Sequence, residues 1–204
     1  MKKFVFGAAI SAAMMVSGGA SALTDAELDA MLADVQLQCA ALGSLAQCDA
    51  LVQAKIAQLE ADGLIDDSGR AAAVARVVET AISALNTSSA PNGQVAVEID
   101  QIIGRATTAM NTIKTRTPAA AAAVNSAVSR ATVAVLVAVQ ERNLNSNPGQ
   151  AGQVGGALVA LANTSTDANQ RNAVQQIATV INNGGSVVDI IDEIEVLNSY
   201  ASPA

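Results

Sequence analysis

TPAAAAAVNSAVSRATVAVLVAVQER, residues 117–142, is the stretch that decides the fold of this chain. Thr117 can accept hydrogen bonds from the free amides of a first helical turn, and Pro118 has no amide to leave unpaired. Five alanines then extend a helix at almost no cost in side-chain entropy, and residues 131–139 carry apolar atoms on every side. We therefore predict a central Ala/Val-rich helix at about 118–142 that other helices must cover.

Two other structures for this stretch are disfavoured. Valine recurs at every second position from 133 to 139, as in a buried strand, but the length of the segment and its alanine-rich start favour a helix. A helix that crosses a membrane would place Arg130 and the polar residues around it in the middle of its span. The stretch is therefore predicted to be the core rod of a helical domain.

Capping signals and apolar periodicity predict further helices on both sides of this rod. Thr24 with Glu27, and Ser44 with Gln47, have the spacing of capping boxes at the starts of the first two helices. Together the signals place five of the other helices at about 25–42, 45–62, 70–85, 95–113 and 158–162. Another runs from one of several caps at 164–167 to about 181, and the last from the cap Ser186 to about 197. The prediction is an all-α, compact bundle of seven or eight helices, with no fixed period that would establish a solenoid.

Three polar segments are expected to connect these helices. Residues 60–69 contain the glycine and acidic residues of a calcium-binding loop, but in the wrong register for an EF-hand. A polar turn is therefore favoured here, with Asp67 or Ser68 as the N-cap of the next helix. Residues 86–93 are rich in turn formers and mark a possible boundary within the fold. Residues 143–156 are predicted to be a flexible loop because they combine asparagine, glycine and proline.

The N-terminus has the pattern of a secretory signal peptide. Two lysines follow the first methionine, an apolar segment runs through residues 4–19, and an A-x-A cleavage signature follows it. We expect removal of residues 1–22 by cleavage between Ala22 and Leu23. The remaining residues 23–204 are predicted to form a single all-helical domain in the periplasm or outside the cell, with no stable membrane span.

The two cysteines are expected to form a disulfide, because an exported chain enters an oxidising compartment. Cys39 falls at the end of the first predicted helix and Cys48 at the start of the second, so a helical hairpin brings them together. A redox-active pair is the alternative, but C-x8-C lacks the spacing and the basic surroundings that lower a thiol pKa. A structural crosslink is therefore favoured.

Composition excludes several classes of function. The chain has 11 basic and 18 acidic residues and no histidine, for a formal charge of −7. Loss of Lys2 and Lys3 with the signal peptide would make this charge −9, which repels nucleic acid. Without imidazole the usual general bases and zinc ligands are missing, and Tyr200 is the only aromatic residue beyond the signal segment. We expect no enzyme activity, no cofactor and no nucleic-acid partner.

One group of carboxylates is a candidate metal site. Asp189, Asp192 and Glu193 lie at three- and four-residue spacing on the last predicted helix, where they share a face that a hard cation such as calcium can use. One helix cannot supply the six or more oxygens that calcium takes, and acids early in a helix favour its dipole. A solvated acidic face is therefore the favoured interpretation.

These exclusions leave an interaction protein as the leading hypothesis. Alanine- and glycine-rich helix faces allow close approach of a neighbour, so we expect an exported helical protein with a structural or protein-binding role, with self-association as one form of that role. One alternative is a membrane-active protein whose helix at 131–139 is covered by other helices in the soluble form. Another is a binding protein for a small apolar ligand held between helices.

Overall fold

A computed structural model describes residues 24–41 and 45–201 of the chain. Within these ranges the backbone forms eight α-helices and three short 3-10 turns, with no strand, which confirms the all-α prediction. The helices are α1 (Asp25–Ala40), α2 (Leu45–Ala61), α3 (Asp67–Thr87), α4 (Asn92–Arg116), α5 (Ala121–Arg142), α6 (Pro148–Ala162), α7 (Ala168–Asn182) and α8 (Ile191–Ala201).

The helices pack in two layers. In the first layer α1 packs on α3, α3 on α5 and α5 on α8; in the second, α2 packs on α4, α4 on α6 and α6 on α7. The pairs α1 with α2, α3 with α4, α5 with α6 and α7 with α8 join the layers. From α1 to α6 the odd-numbered helices lie in the first layer and the even-numbered helices in the second. The last two helices have the opposite arrangement, because α7 lies in the second layer beside α6 and α8 in the first layer beside α5.

Side-chain contacts fix the directions of the helices in the first layer. Glu79 of α3 bonds Arg130 of α5, and Asn86, two turns further along α3, bonds Glu141 near the end of α5. The two helices are therefore parallel. Tyr200, at the end of α8, shares a cavity with the start of α5, so α8 runs antiparallel to α5.

The predicted central helix is present, but its start differs from the prediction. Thr117 does not cap it; this residue ends α4, and its hydroxyl donates a hydrogen bond to Asp67 instead. Pro118 begins a 3-10 turn that leads into α5, as its preset φ favours. Among the described residues the stretch Pro118–Arg142 is the one helix long and apolar enough to cross a membrane, with mean hydropathy 1.6, and 61% of its apolar window is buried.

The prediction of a flexible loop at 143–156 is wrong. Asn143, in the left-handed region at φ 54°, ends α5, and α6 begins at Pro148 after one short 3-10 turn. The Asn147 side chain accepts hydrogen bonds from the first free amides of α6. Gly155 is buried in this helix, and a Cβ there would meet the side-chain oxygen of Asn182 on α7 at 1.9 Å. One of the glycines that suggested a loop, Gly155, is therefore required where α6 packs closely against α7.

Two other local predictions need a small correction. The cap of α3 is Asp66, whose carboxylate accepts a hydrogen bond from the Gly69 amide at 2.6 Å, and neither Asp67 nor Ser68 serves as the cap. Residues 86–93 do not separate two cores, because one continuous cluster of buried apolar side chains includes α3, α4 and α5.

The predicted disulfide joins the ends of α1 and α2. Cys39 and Cys48 are bonded with their Cα atoms 4.8 Å apart, and both side chains are buried. The capping box at Thr24 is confirmed, since its hydroxyl accepts from the Glu27 amide while the Glu27 carboxylate accepts from the Thr24 amide. The predicted cleavage site at Ala22 and Leu23, and the second capping box at Ser44 and Gln47, lie outside the residues whose side chains are described.

Candidate protein-binding groove

An alanine-lined groove lies on the outer face of the first layer, between α3 and α5. It encloses about 610 Å³, and the end of α8 forms part of its wall. Small side chains dominate its lining, which we call the alanine groove: Ser68, Ala72, Ala75, Ala119, Ala122, Ala123, Asn125, Ser126, Ala127, Arg130, Ser199 and Tyr200.

The polyalanine start of the central stretch is the reason that this groove exists. Residues 119–123 are all alanine, and those that face outward cover little of the backbone beneath them. Ala72 of α3 faces them from the other wall and is also exposed. Helix axes can approach to about 8 Å where small side chains meet, so the groove is suited to receive another helix.

A bidentate ion pair lies at one end of the groove. The Nε atom of Arg130 lies 2.7 Å from Oε1 of Glu79, and its Nη2 atom lies 2.5 Å from Oε2. The two side chains are 31% and 29% exposed, so both are partly shielded from water. The pair neutralises the charge of Arg130, which is the basic residue that the sequence places in the middle of the central stretch.

A second group of charges, centred on Asp67, lies near the start of α3. The Asp67 side chain is 8% exposed and bonds Arg116, Thr117 and Arg70. The hydrogen bond from Arg116 contributes most to holding the pKa of Asp67 far below its ordinary value, followed by the bond from Thr117. This carboxylate ties the ends of α3, α4 and the turn before α5 together.

A buried polar network lies beneath the groove, where α5 meets α7. The Nε2 atom of Gln170 donates to the backbone oxygen of Asn125 and to the hydroxyl of Ser129, each at 2.7 Å. The Gln170 Oε1 atom accepts from the Ser165 hydroxyl at 2.5 Å. The Asn125 side chain accepts from the Thr166 amide at 3.0 Å. These partners let an apolar core hold polar side chains without a large desolvation cost.

Tyr200 connects α8 to the start of α7 at the other wall of the groove. Its hydroxyl bonds the Asp167 carboxylate, which lowers the pKa of Asp167 and raises the pKa of Tyr200. Asp167 also caps α7 by accepting from the amides of Asn169 and Gln170. The position of the groove wall therefore depends on the same carboxylate that starts α7.

The structure divides the predicted acidic face. Asp189 accepts a hydrogen bond from the Ser186 amide at 2.8 Å, whereas Asp192 and Glu193 line a separate open cleft of about 620 Å³ between α7 and α8. Within residues 24–41 and 45–201, no three carboxylate or cysteine side chains come close enough together to hold a metal ion. The three residues therefore do not form one ligand set in the structure.

The sequence alone does not indicate the partners of the polar residues of α5. In the sequence, Asn125, Ser129 and Arg130 argue only against a membrane span, because their partners Gln170 and Glu79 lie 41 to 51 residues away along the chain. A usable signal was present: a polar residue in an otherwise apolar helix must find a buried partner.

Comparison with known proteins adds no further evidence on function. No family model, curated protein or solved structure matches the chain.

Proposed function

We propose that this chain is an exported, non-enzymatic helical protein that binds another protein, or a copy of itself, through the alanine groove. The observation that carries the proposal is the groove itself, an outward face of small side chains between two parallel helices. The buried disulfide between Cys39 and Cys48 supports the exported location, because such bonds persist in oxidising compartments.

The lining of the groove favours a helix that packs by apolar contact. Its alanines offer apolar contact and close approach, while its charged group, Arg130, is already engaged by Glu79. A binding helix therefore needs no countercharge at this point, and its affinity must come from packing of side chains into the groove.

Site-specific photo-crosslinking in the native host tests the proposal. A photoreactive residue in place of Ala122, in the groove, is expected to give a discrete adduct with a protein of fixed mass. The matched control is Ala54, an exposed alanine on α2, where no such adduct is expected. Adducts of equal yield at both positions, or none at Ala122, would contradict the proposal. Mass measurement of the mature N-terminus tests the export of the protein separately.

The membrane-active alternative has one supporting observation, the length and hydropathy of Pro118–Arg142. Insertion would have to separate Arg130 from Glu79 and expose the buried network at Gln170, and each step costs free energy. Leakage of dye from liposomes at several pH values tests this alternative, and release by the purified protein would favour it over binding at the groove.

A further inference from the structure

One half of the outward face of α5 holds the alanine groove, and the other half holds an exposed valine. Ala123, Ser126, Arg130, Val133 and Val137 follow one another at steps of three and four residues, which places them on one side of the helix. Val137 is 45% exposed. The groove is thus a hole near the start of α5, and Val137 is a knob near its end.

Arg130 lies midway between the hole and the knob. Ala123 precedes it by seven residues and Val137 follows it by seven, so hole and knob are about 21 Å apart along the helix. A two-fold axis at Arg130 that sets two copies of α5 antiparallel would bring each Val137 opposite the Ala123 of the other copy. Such a pairing is isologous, since the same surface serves both copies.

From this geometry we propose that the occupant of the alanine groove is a second copy of this chain, in a two-fold dimer with antiparallel α5 helices. Val137 of each copy packs between the alanines of the other. This inference rests on the proposed function and names the partner. Knobs that enter holes between small residues are a common way for helices to associate.

The distribution of charge selects this face for contact between identical chains. Between residues 119 and 140 the single charged residue of α5 is Arg130, and Glu79 of the same copy neutralises it. On α3 the charged side chains are likewise paired: Asp67 with Arg70 and Arg116, Arg76 with Asp29, and Glu79 with Arg130. Two copies of an acidic protein therefore meet little unpaired charge where their α3 and α5 faces come together.

The size of the face is sufficient for a weak dimer. Helices α3 and α5 have 21 and 22 residues, so each is about 30 Å long. With about 10 Å between neighbouring helix axes, their joint outer face measures roughly 30 by 20 Å, or about 600 Å² per copy. A total of about 1,200 Å² lies at the lower limit for specific interfaces, so we expect a reversible dimer.

A cysteine-pairing experiment tests the arrangement directly. Two single variants, Ala123→Cys and Val137→Cys, are purified and mixed under mild oxidation. The native cysteines are buried in their own disulfide and do not react. The mixture is expected to form a covalent heterodimer, whereas each variant alone stays uncrosslinked, because its own cysteines would lie about 21 Å apart along the helix axis in the dimer. Equal crosslinking in the mixture and in the separate variants would overturn the proposal.

Sedimentation equilibrium gives an independent test. Val137→Glu is expected to weaken dimerisation at least about tenfold, because a carboxylate would enter an apolar groove. The control is Val159→Glu on α6, where the native valine is 39% exposed, and its dissociation constant is expected to stay at the wild-type value. Circular dichroism confirms that both variants fold. A dimer that Val137→Glu leaves intact would refute this interface.

The outcomes separate this inference from the proposed function. A monomeric wild-type protein that still crosslinks to a different protein through Ala122 would refute the dimer and leave the binding role in place. A monomer with no crosslinked partner would refute both.

Discussion

Replacement of Gln170 by leucine should destabilise the protein more than any other single polar substitution on α7. The side chain is fully buried and makes three hydrogen bonds, to Ser129, Ser165 and the backbone of Asn125. A hydrogen bond of this kind contributes about 1 kcal/mol net, so Gln170→Leu is expected to cost about 3 kcal/mol. Leucine fills a similar volume, which limits any additional cost from a cavity.

Urea unfolding followed by far-ultraviolet circular dichroism measures this cost. Gln176→Leu is the matched control, because it makes the same change at an exposed position of the same helix and should stay within about 0.5 kcal/mol of wild type. Addition of Ser129→Ala to the Gln170 variant should recover about 1 kcal/mol, since it removes a hydroxyl that would otherwise be buried without a partner. A Gln170→Leu protein within about 0.5 kcal/mol of wild type would refute the role of the network.

Three further changes test other parts of the fold. Replacement of Cys39 and Cys48 by alanine should cost about 2–3 kcal/mol, because the crosslink closes a short loop in the unfolded chain; equal urea midpoints would contradict this. Glu98→Gln should stabilise the protein at pH 7, because burial raises the pKa of Glu98 and disfavours its charged form. This gain in stability should vanish as the pH falls and Glu98 of the wild-type protein is protonated. The control Glu195→Gln, at an exposed position, should show no gain. Asp67→Asn should cost about 2 kcal/mol of stability at pH 7, because hydrogen bonds lower the pKa of the carboxylate in the folded protein. The difference in stability between the variant and the wild type should shrink below about pH 4, where Asp67 of the unfolded chain takes up a proton. A loss of stability that does not depend on pH would contradict this role of Asp67.

The sequence was sufficient to predict most of the helices. Helices α3, α4 and α5 have long apolar stripes and clear ends, so their periodicity decides their structure locally. The disulfide followed from the two helix ends that carry Cys39 and Cys48. These features depend on neighbours a few residues apart, which a pattern can report.

The features that the sequence did not predict depend on tertiary contacts. Glycines at four positions lower the intrinsic helix propensity of α6, and packing of α6 against α4 and α7, closest at Gly155, stabilises the helix nevertheless. Thr117 has two possible hydrogen-bond roles, and the choice depends on Asp67, which is 50 residues away. The alanine groove likewise appears only when α3 lies beside α5, because a run of alanines has no periodic stripe to indicate which side stays uncovered.

Tyr200 makes the alanine groove accessible to spectroscopy without any label. It is the only tyrosine of a chain that has no tryptophan, and both phenylalanines, Phe4 and Phe6, belong to the predicted signal segment. Its ring lies in the wall of the groove and its hydroxyl bonds Asp167. Tyrosine emission from the protein therefore comes from one position, and a carboxylate bonded to the phenol is positioned to quench it. A partner that enters the groove and displaces this bond should change the quantum yield of the whole protein.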